Sequence, residues 1–414
     1  MSDEIPSIQN GLTSSSAATY APRFFIGLLG VLALLTGLSY TVLRGEAFKP
    51  GVFEIAGITA AVVGLSTALP LSEQRRLMVT YTLVIAGLAL AGLPYIFDLW
   101  ANLEPATAEY AAKEIPDPRL IKRVASNAGG HDANGFRNDS IPDHADIVGI
   151  GDSFTWGWNA TRYEAWPSAL GTLAAKTTYN MGGNGFGPAE YWFLTGDALD
   201  QFAPETIVVA LYLGNDLYDA YESIYLYETE AAARFRLPAP DPALFVDLPG
   251  IQAERIGWDE GIKFKSGKIS TYFTPIYRLQ ALNLDEARIA EGLRLTGAIL
   301  IDIAERTRAA DVGLIVVLLP TKETVYAGVV GDQQTPAFAL EVSLEAQART
   351  QLLTALDAHG ITVVDCLPAL QTALESGAPV FNRDKDGHLN ANGYKVVAEA
   401  IYPVLTATPD ASYN

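Results

Sequence analysis

Five short runs of apolar, largely β-branched residues punctuate the C-terminal part of this chain, at 146–150, 177–180, 206–213, 312–319 and 362–365. They are uniformly apolar rather than alternating, the pattern of strands covered on both faces. Between them lie longer stretches of helical period, at about 164–175, 188–201, 284–310, 343–358 and 391–405. A strand–helix–strand repeat has few stable solutions, because parallel neighbours can be joined only by a crossover that buries its own apolar stripe on the sheet. The pattern predicts an α/β domain with a mostly parallel sheet, whose functional residues follow the carboxyl ends of the strands.

The strand exits carry the chemistry-bearing residues. The first run leads directly into Gly151-Asp152-Ser153-Phe154-Thr155-Trp156-Gly157. A serine at the tip of a strand-to-helix turn presents its Oγ at the sheet edge and leaves its own N–H free to face an oxyanion. The second run ends in Asn180-Met181-Gly182-Gly183-Asn184-Gly185-Phe186-Gly187. Glycines at this density let backbone approach a ligand closely, but they do not spell a dinucleotide fingerprint, since Pro188 stands where the third glycine is required. The third run ends in Leu213-Gly214-Asn215-Asp216, an amide side chain at the same edge.

A base is then needed. His131, His144 and His359 lie before the sheet or at a helix end and read as surface groups, whereas His388 sits in Asn382-Arg383-Asp384-Lys385-Asp386-Gly387-His388-Leu389-Asn390, after the fifth run and just before the last helix. A carboxylate two residues away can hold its imidazole in the tautomer that accepts a serine proton. The same loop matches positions 1, 3, 5 and 6 of a calcium loop at Asn382, Asp384, Asp386 and Gly387, but Gly393 stands where the bidentate Glu belongs, which argues against a metal.

Together with Gly135-Phe136-Arg137, these blocks resemble in order and spacing the SGNH (GDSL) hydrolase superfamily over roughly residues 130–405. The resemblance implies a three-layer α/β/α flavodoxin-like domain acting on esters or acyl groups of carbohydrates or lipids through a serine, without a cofactor or metal. Carried over by position, Ser153 matches the nucleophile, His388 the base, and Ser153, Gly185 and Asn215 the oxyanion donors. The family's acid stands three residues before the histidine, and here that residue is Lys385. Asp386 is the favoured substitute, since a two-residue spacing is also seen in related sugar O-acetyltransferases; Asp384 is the alternative. Leu319-Pro320-Thr321-Lys322-Glu323 is similar to a Pro-x-Lys segment of membrane-tethered SGNH domains that acetylate cell-surface polysaccharides.

Residues 1–100 are a different material, with five Lys/Arg and six Asp/Glu against 23 and 41 in the remainder. After a polar tail (1–22), three apolar stretches at 24–43, 52–71 and about 77–97 fill a region (23–100) read as three transmembrane helices. Each has about 20 residues, enough at about 1.5 Å per residue to span a hydrocarbon core of about 30 Å. Residues 101–130 read as a linker and 131–408 as the SGNH hydrolase-like domain, interrupted by a long insertion at 217–283 rich in Tyr, Pro and Gly. Tyr218, Tyr221, Tyr225, Tyr227, Tyr272 and Tyr277 there either line a groove or pack the insertion down. The Arg75-Arg76 pair in a very short loop favours the cytoplasm, so three spans put the C-terminal domain on the periplasmic or extracellular side of the cytoplasmic (inner) membrane.

A net charge of -19 argues against a nucleic-acid partner, because phosphate binding rests on clustered Lys and Arg, and suits neutral or cationic substrates. The single Cys366 excludes an internal disulfide. The expectation is therefore a membrane-anchored serine esterase or deacylase on an acylated carbohydrate or lipid. The same serine acting as a polysaccharide O-acetyltransferase is the second reading, and a non-catalytic membrane scaffold the third. Three spans exceed what an anchor needs and suit a partner membrane protein.

Overall fold

The structure, a computed structural model, describes residues 112–245, 261–267 and 269–407 together with Ser72. The chain divides into two compact units, Met1–Glu104 and Pro105–Asn414. The three apolar stretches lie outside the described residues, and no helix among the described residues is long and apolar enough to cross a membrane.

All five apolar runs are strands of one parallel sheet: β3 (Ile147–Gly151), β4 (Thr178–Gly182), β5 (Thr206–Tyr212), β8 (Gly313–Leu319) and β9 (Thr362–Asp365). Their spatial order is β4-β3-β5-β8-β9, the 2-1-3-4-5 order of doubly wound sheets. The uniform apolar character has the expected cause. Alternate residues face opposite sides, so Val148, Ile150, Val209 and Val316 enter one core while Ile147, Val208, Ala210 and Val317 enter the other.

Helices cover both faces. On the first lie α3 (Pro188–Phe202), α4 (Asp216–Tyr225), α7 (Ala287–Ala309) and α9 (Pro336–Asp357). On the second lie α2 (Trp166–Ala174), α8 (Lys322–Val330), α10 (Leu367–Glu375) and α11 (Ala391–Thr406). Helix α9 begins earlier than its periodicity predicts. Thr335 caps it by accepting from the Phe338 amide at 3.3 Å, Pro336 occupies the first position, and Phe338 buries against Phe273 with ring centroids 5.0 Å apart.

The order reverses between β3 and β5, and at such a point the exits of neighbouring strands leave a crevice. The β3 exit carries α1 (Ser153–Trp156) and the β5 exit carries Asn215. The stretch read as a linker holds an antiparallel hairpin of β1 (Glu114–Asp117) and β2 (Ile121–Val124), whose Leu120 is buried in the first core. The insertion is also structured: α5 (Glu230–Phe235), a second hairpin of β6 (Ile262–Ser266) and β7 (Ile269–Phe273), and α6 (Pro275–Leu282). Tyr218, Tyr221 and Tyr225 are buried in the first core, so they pack the insertion down rather than lining a groove.

Candidate active site

Ser153 is the first residue of the one-turn helix α1. Asp152 caps that helix with its carboxylate, accepting from the Phe154 amide at 2.8 Å, and Gly157 ends it in the left-handed region. Arg137 lies beneath and clamps the exit: its guanidinium donates to the carbonyls of Trp156 (3.1 Å), Gly157 (2.8 Å) and Ala160 (2.8 Å) and lies 4.0 Å over the Trp156 ring. The end of β4 packs against the same turn so closely that a Cβ on Gly182 would lie 2.2 Å from the Trp156 amide nitrogen. Only glycine fits there.

His388 arrives from the opposite end of the chain. An antiparallel bridge between Phe381 and Leu389 closes the base of its loop, and Asn390 caps α11 through the Gly393 amide at 3.0 Å. Packed on α2, α11 sets the loop over α1, with the Tyr394 hydroxyl donating to the Trp158 carbonyl at 2.9 Å. The imidazole Nε2 then lies 2.8 Å from Ser153 Oγ. Its Nδ1 lies 2.6 Å from Asp386 Oδ1, which also accepts from the His388 amide at 2.8 Å. The rings of Phe154 and Trp158 flank the imidazole at centroid distances of 4.7 and 5.6 Å. Burial would raise the Asp386 carboxyl, but hydrogen bonds from His388 and the nearby positive charge overcome it and bring it to about 2. Asp386 is thus an anion at neutral pH, and the Nδ1–H tautomer it selects leaves Nε2 free to take the serine proton.

Asp384 does not meet the imidazole; its carboxylate accepts from the Asp386 amide at 3.0 Å. The stem of Lys385 runs past Gly261, where a Cβ would meet Lys385 Cε at 2.9 Å. The carboxylate two residues before His388 therefore meets its imidazole, and the residue three before it is Lys385.

The donors expected around an oxyanion leave adjacent strands. Gly151, Gly182 and Ala210 are register partners across β3, β4 and β5, which brings the three exits together. Gly185 has φ +70°, in the left-handed region that favours glycine, and is exposed. Asn215 stands at the β5 exit as the N-cap residue of α4, near enough to Asp152, the residue before Ser153, for its side chain to favour the ionised form of that carboxyl.

Beneath the nucleophile lie carboxylates whose burial the strand pattern gives no sign of. Asp152 is pushed up to about 6 by burial, despite the amide of Phe154, the charge of His388 and the Asn215 side chain. Asp216, raised by burial and by the charges of Asp152 and Asp219, accepts from the Tyr212 amide at 2.8 Å and the Tyr191 hydroxyl at 3.0 Å. Behind Gly387 stands buried Arg278, whose Nη2 would lie 2.6 Å from a Cβ there. His131, read as a surface group, is buried: its Nδ1 pairs with the Ala128 carbonyl at 3.0 Å and its Nε2 accepts from Trp156 Nε1 at 3.0 Å. The indole N–H makes that burial affordable, and no feature of the local sequence around His131 announces it.

Among the described residues no cluster of His, Cys, Asp or Glu is arranged to hold a metal ion. A hollow of about 660 Å³ opens instead beside the first hairpin, lined by Arg119, Phe136, Met181 and Gln201 among others. It contains none of Ser153, Asp386 and His388, and its arginines are paired, Arg119 with Asp197 and Arg123 with Asp117. The contacts among Ser153, His388 and Asp386 lie elsewhere, at the strand exits.

Residues 277–413 match the family model described as the SGNH hydrolase-like domain of the acetyltransferase AlgX. That stretch includes Lys322, Asp386 and His388 but not Ser153, Gly185 or Asn215. No curated protein matches the chain. Among solved structures, the chain is similar to a member of the lipolytic protein G-D-S-L family from Veillonella parvula DSM 2008, at 13% identity and a TM-score of 0.35, covering 63% of this chain and 98% of that one. It is also similar to a catalytic mutant of an acetylxylan esterase from Geobacillus stearothermophilus, at 14% identity and a TM-score of 0.34, covering 65% and 97%. Both likenesses are remote.

Proposed function

We propose that this chain is a membrane-anchored serine esterase or deacylase of the SGNH type, acting on ester-linked acyl groups of a carbohydrate or lipid. The observation that carries the reading is the chain of contacts from Ser153 Oγ to His388 Nε2 at 2.8 Å and from His388 Nδ1 to Asp386 at 2.6 Å. In the first step His388 Nε2 takes the Ser153 proton as Oγ attacks the ester carbonyl, and the anion of Asp386 stabilises the imidazolium that forms. The amides of Ser153 and Gly185 and the side chain of Asn215 receive the developing oxyanion. Collapse expels the alcohol, which takes the proton back from His388, and leaves an acyl-serine. Water, deprotonated by the same imidazole, then releases the acid.

A second reading sends the acyl group to a sugar hydroxyl instead of water, and the family-model match to an acetyltransferase domain favours it. The first half-reaction is identical, so only the acceptor distinguishes them. The three apolar stretches at 24–43, 52–71 and about 77–97 support a multi-pass anchor in the cytoplasmic membrane with the catalytic domain outside, and surface for a partner membrane protein.

Fluorophosphonate labelling of the detergent-solubilised chain, mapped by peptide mass, tests the nucleophile. Modification at Ser153 that disappears in Ser153→Ala is expected; a folded sample that takes no label returns the chain to the scaffold reading. Offering an acyl donor with a polysaccharide acceptor then separates the two chemistries, since a transferase yields acylated sugar in excess of free acid.

A further inference from the structure

The loop that carries Asp386 is built around a cation that the protein itself supplies. Lys322 is only 1% exposed, and its Nζ donates to three carbonyls of that loop: Asn382 at 3.0 Å, Asp384 at 2.7 Å and Asp386 at 3.1 Å. An ammonium has three donors and no acceptor, so the three bonds use it completely. Residues 382, 384 and 386 alternate, which lets their carbonyls share one side of the loop. The carboxylates of the two aspartates are engaged elsewhere, Asp384 on the Asp386 amide and Asp386 on His388. The spacing that reads as half a calcium loop is therefore occupied by a lysine.

Neither the helix start nor burial favours a cation at this position. Lys322 is the first residue of α8, at the positive end of the helix dipole, and it is buried. The start of α8 is nonetheless rigidly anchored. Thr321 Oγ1 donates to Glu341 at 2.7 Å and also pairs with Glu345, and Glu323 accepts from the Thr274 amide at 2.6 Å. The ammonium is thus a fixed point on the scaffold, and the loop hangs from it by backbone atoms.

We propose that Lys322 is the positioning residue that fixes Asp386, and through Asp386 the tautomer and orientation of His388, by serving as the internal cation of the 382–386 loop. The proposal rests on the assignment of His388 as base and Asp386 as its acid. Without the ammonium three carbonyls lose their shared donor, and a shift of about 1 Å in the loop is enough to cost about 10²-fold in rate. The charged groups facing Nζ are Glu323 on its own helix, Asp384 and Asp386 on the loop, and Arg278 on α6. Burial, with Arg278, brings the ammonium down to about 8 against the three carboxylates.

The test reads His388 directly. In the full chain carrying 15N-histidine, two-bond proton–nitrogen correlation spectra report its tautomer, alongside the rate of fluorophosphonate labelling at Ser153. Lys322→Met and Lys322→Gln, each with near-UV circular dichroism like the parent, are expected to lose the Nδ1–H signature and to label about 10²-fold more slowly. Asp386→Ala should then add no more than about threefold, because both changes break one linkage. An unchanged His388 signature, or a full-sized Asp386→Ala effect on top of Lys322→Met, would overturn the proposal. Should neither variant fold, Lys322→Arg decides: a planar fork cannot aim at the three carbonyls as an ammonium does, so a folded Lys322→Arg protein is expected to lose the signature and label more slowly, and parent-like labelling with an unchanged signature refutes the assignment. Loss of the signature in a protein whose parent never labels at Ser153 would sink the esterase reading and leave the positioning role standing.

Discussion

Replacing Asp386 by Asn separates the acid of this site from its neighbour Asp384. The carboxyl of Asp386 is drawn from 3.8 to about 2, burial opposing and the hydrogen bonds and charge of His388 prevailing. At about 1.4 kcal/mol per unit, its surroundings favour the ionised form by on the order of 2.5 kcal/mol. Much of that is interaction with the imidazole, which carries its full charge only as the serine proton is transferred. Losing it costs up to about 60-fold in rate. The amide brings a further loss, because Asn no longer compels the Nδ1–H tautomer, and in serine triads that change reaches about 10⁴-fold. Asp386→Asn is therefore expected to lower the second-order rate of Ser153 labelling, and of hydrolysis of a short activated acyl ester, by about 10² to 10⁴, with little change in thermal midpoint. Asp384→Asn retains an oxygen for the Asp386 amide and should stay within about threefold of the parent. An Asp386→Asn enzyme as fast as the parent, or an Asp384→Asn enzyme equally impaired, would refute the assignment of the acid.

Asn215→Ala should lose about 10² to 10³ in turnover, the cost of one oxyanion donor. It should fold normally, since Asn215 contributes no side-chain cap to α4; turnover close to the parent's would remove Asn215 from the oxyanion hole. Gly182→Ala forces a Cβ to within 2.2 Å of the Trp156 amide nitrogen, so chemical denaturation should report a loss of several kcal/mol or no folded protein, and an unchanged midpoint would contradict the packing of β4 on α1. Burial raises Glu190 to about 7, Glu345 to about 7 and Asp152 to about 6. The folded state then binds more protons than the unfolded chain between about pH 4 and 7, so stability is greatest at the acid end of that window and declines as pH rises through it. Asp386, depressed, opposes this only below about pH 4. The thermal midpoint should fall between about pH 5 and 7.5 and fall less in Glu190→Gln; a midpoint that rises over that range would exclude the raised carboxylates.

Several features of the fold are legible without coordinates because burial writes itself locally. A strand covered on both faces must be apolar throughout, so the runs at 146–150, 177–180, 206–213, 312–319 and 362–365 identify all five strands of the sheet. Parallel connection then directs attention to the strand exits, where Ser153 and Asn215 stand. Helix starts are less visible: α9 begins at Pro336 because of a Thr-Pro cap and a phenylalanine pair, neither of which has a period.

Short-range pattern is enough to place the parallel sheet, the serine at the first exit and the histidine ahead of the last helix. Packing across the fold is what brings Asp386 rather than Asp384 to His388, the Lys322 ammonium to the carbonyls of their loop, Arg137 to the turn after Ser153, and His131 to Trp156. The physical reason is that periodicity reports which face of an element is dry. The partner of a buried charge or carbonyl is chosen across the fold, by whichever donor the packing brings within about 3 Å.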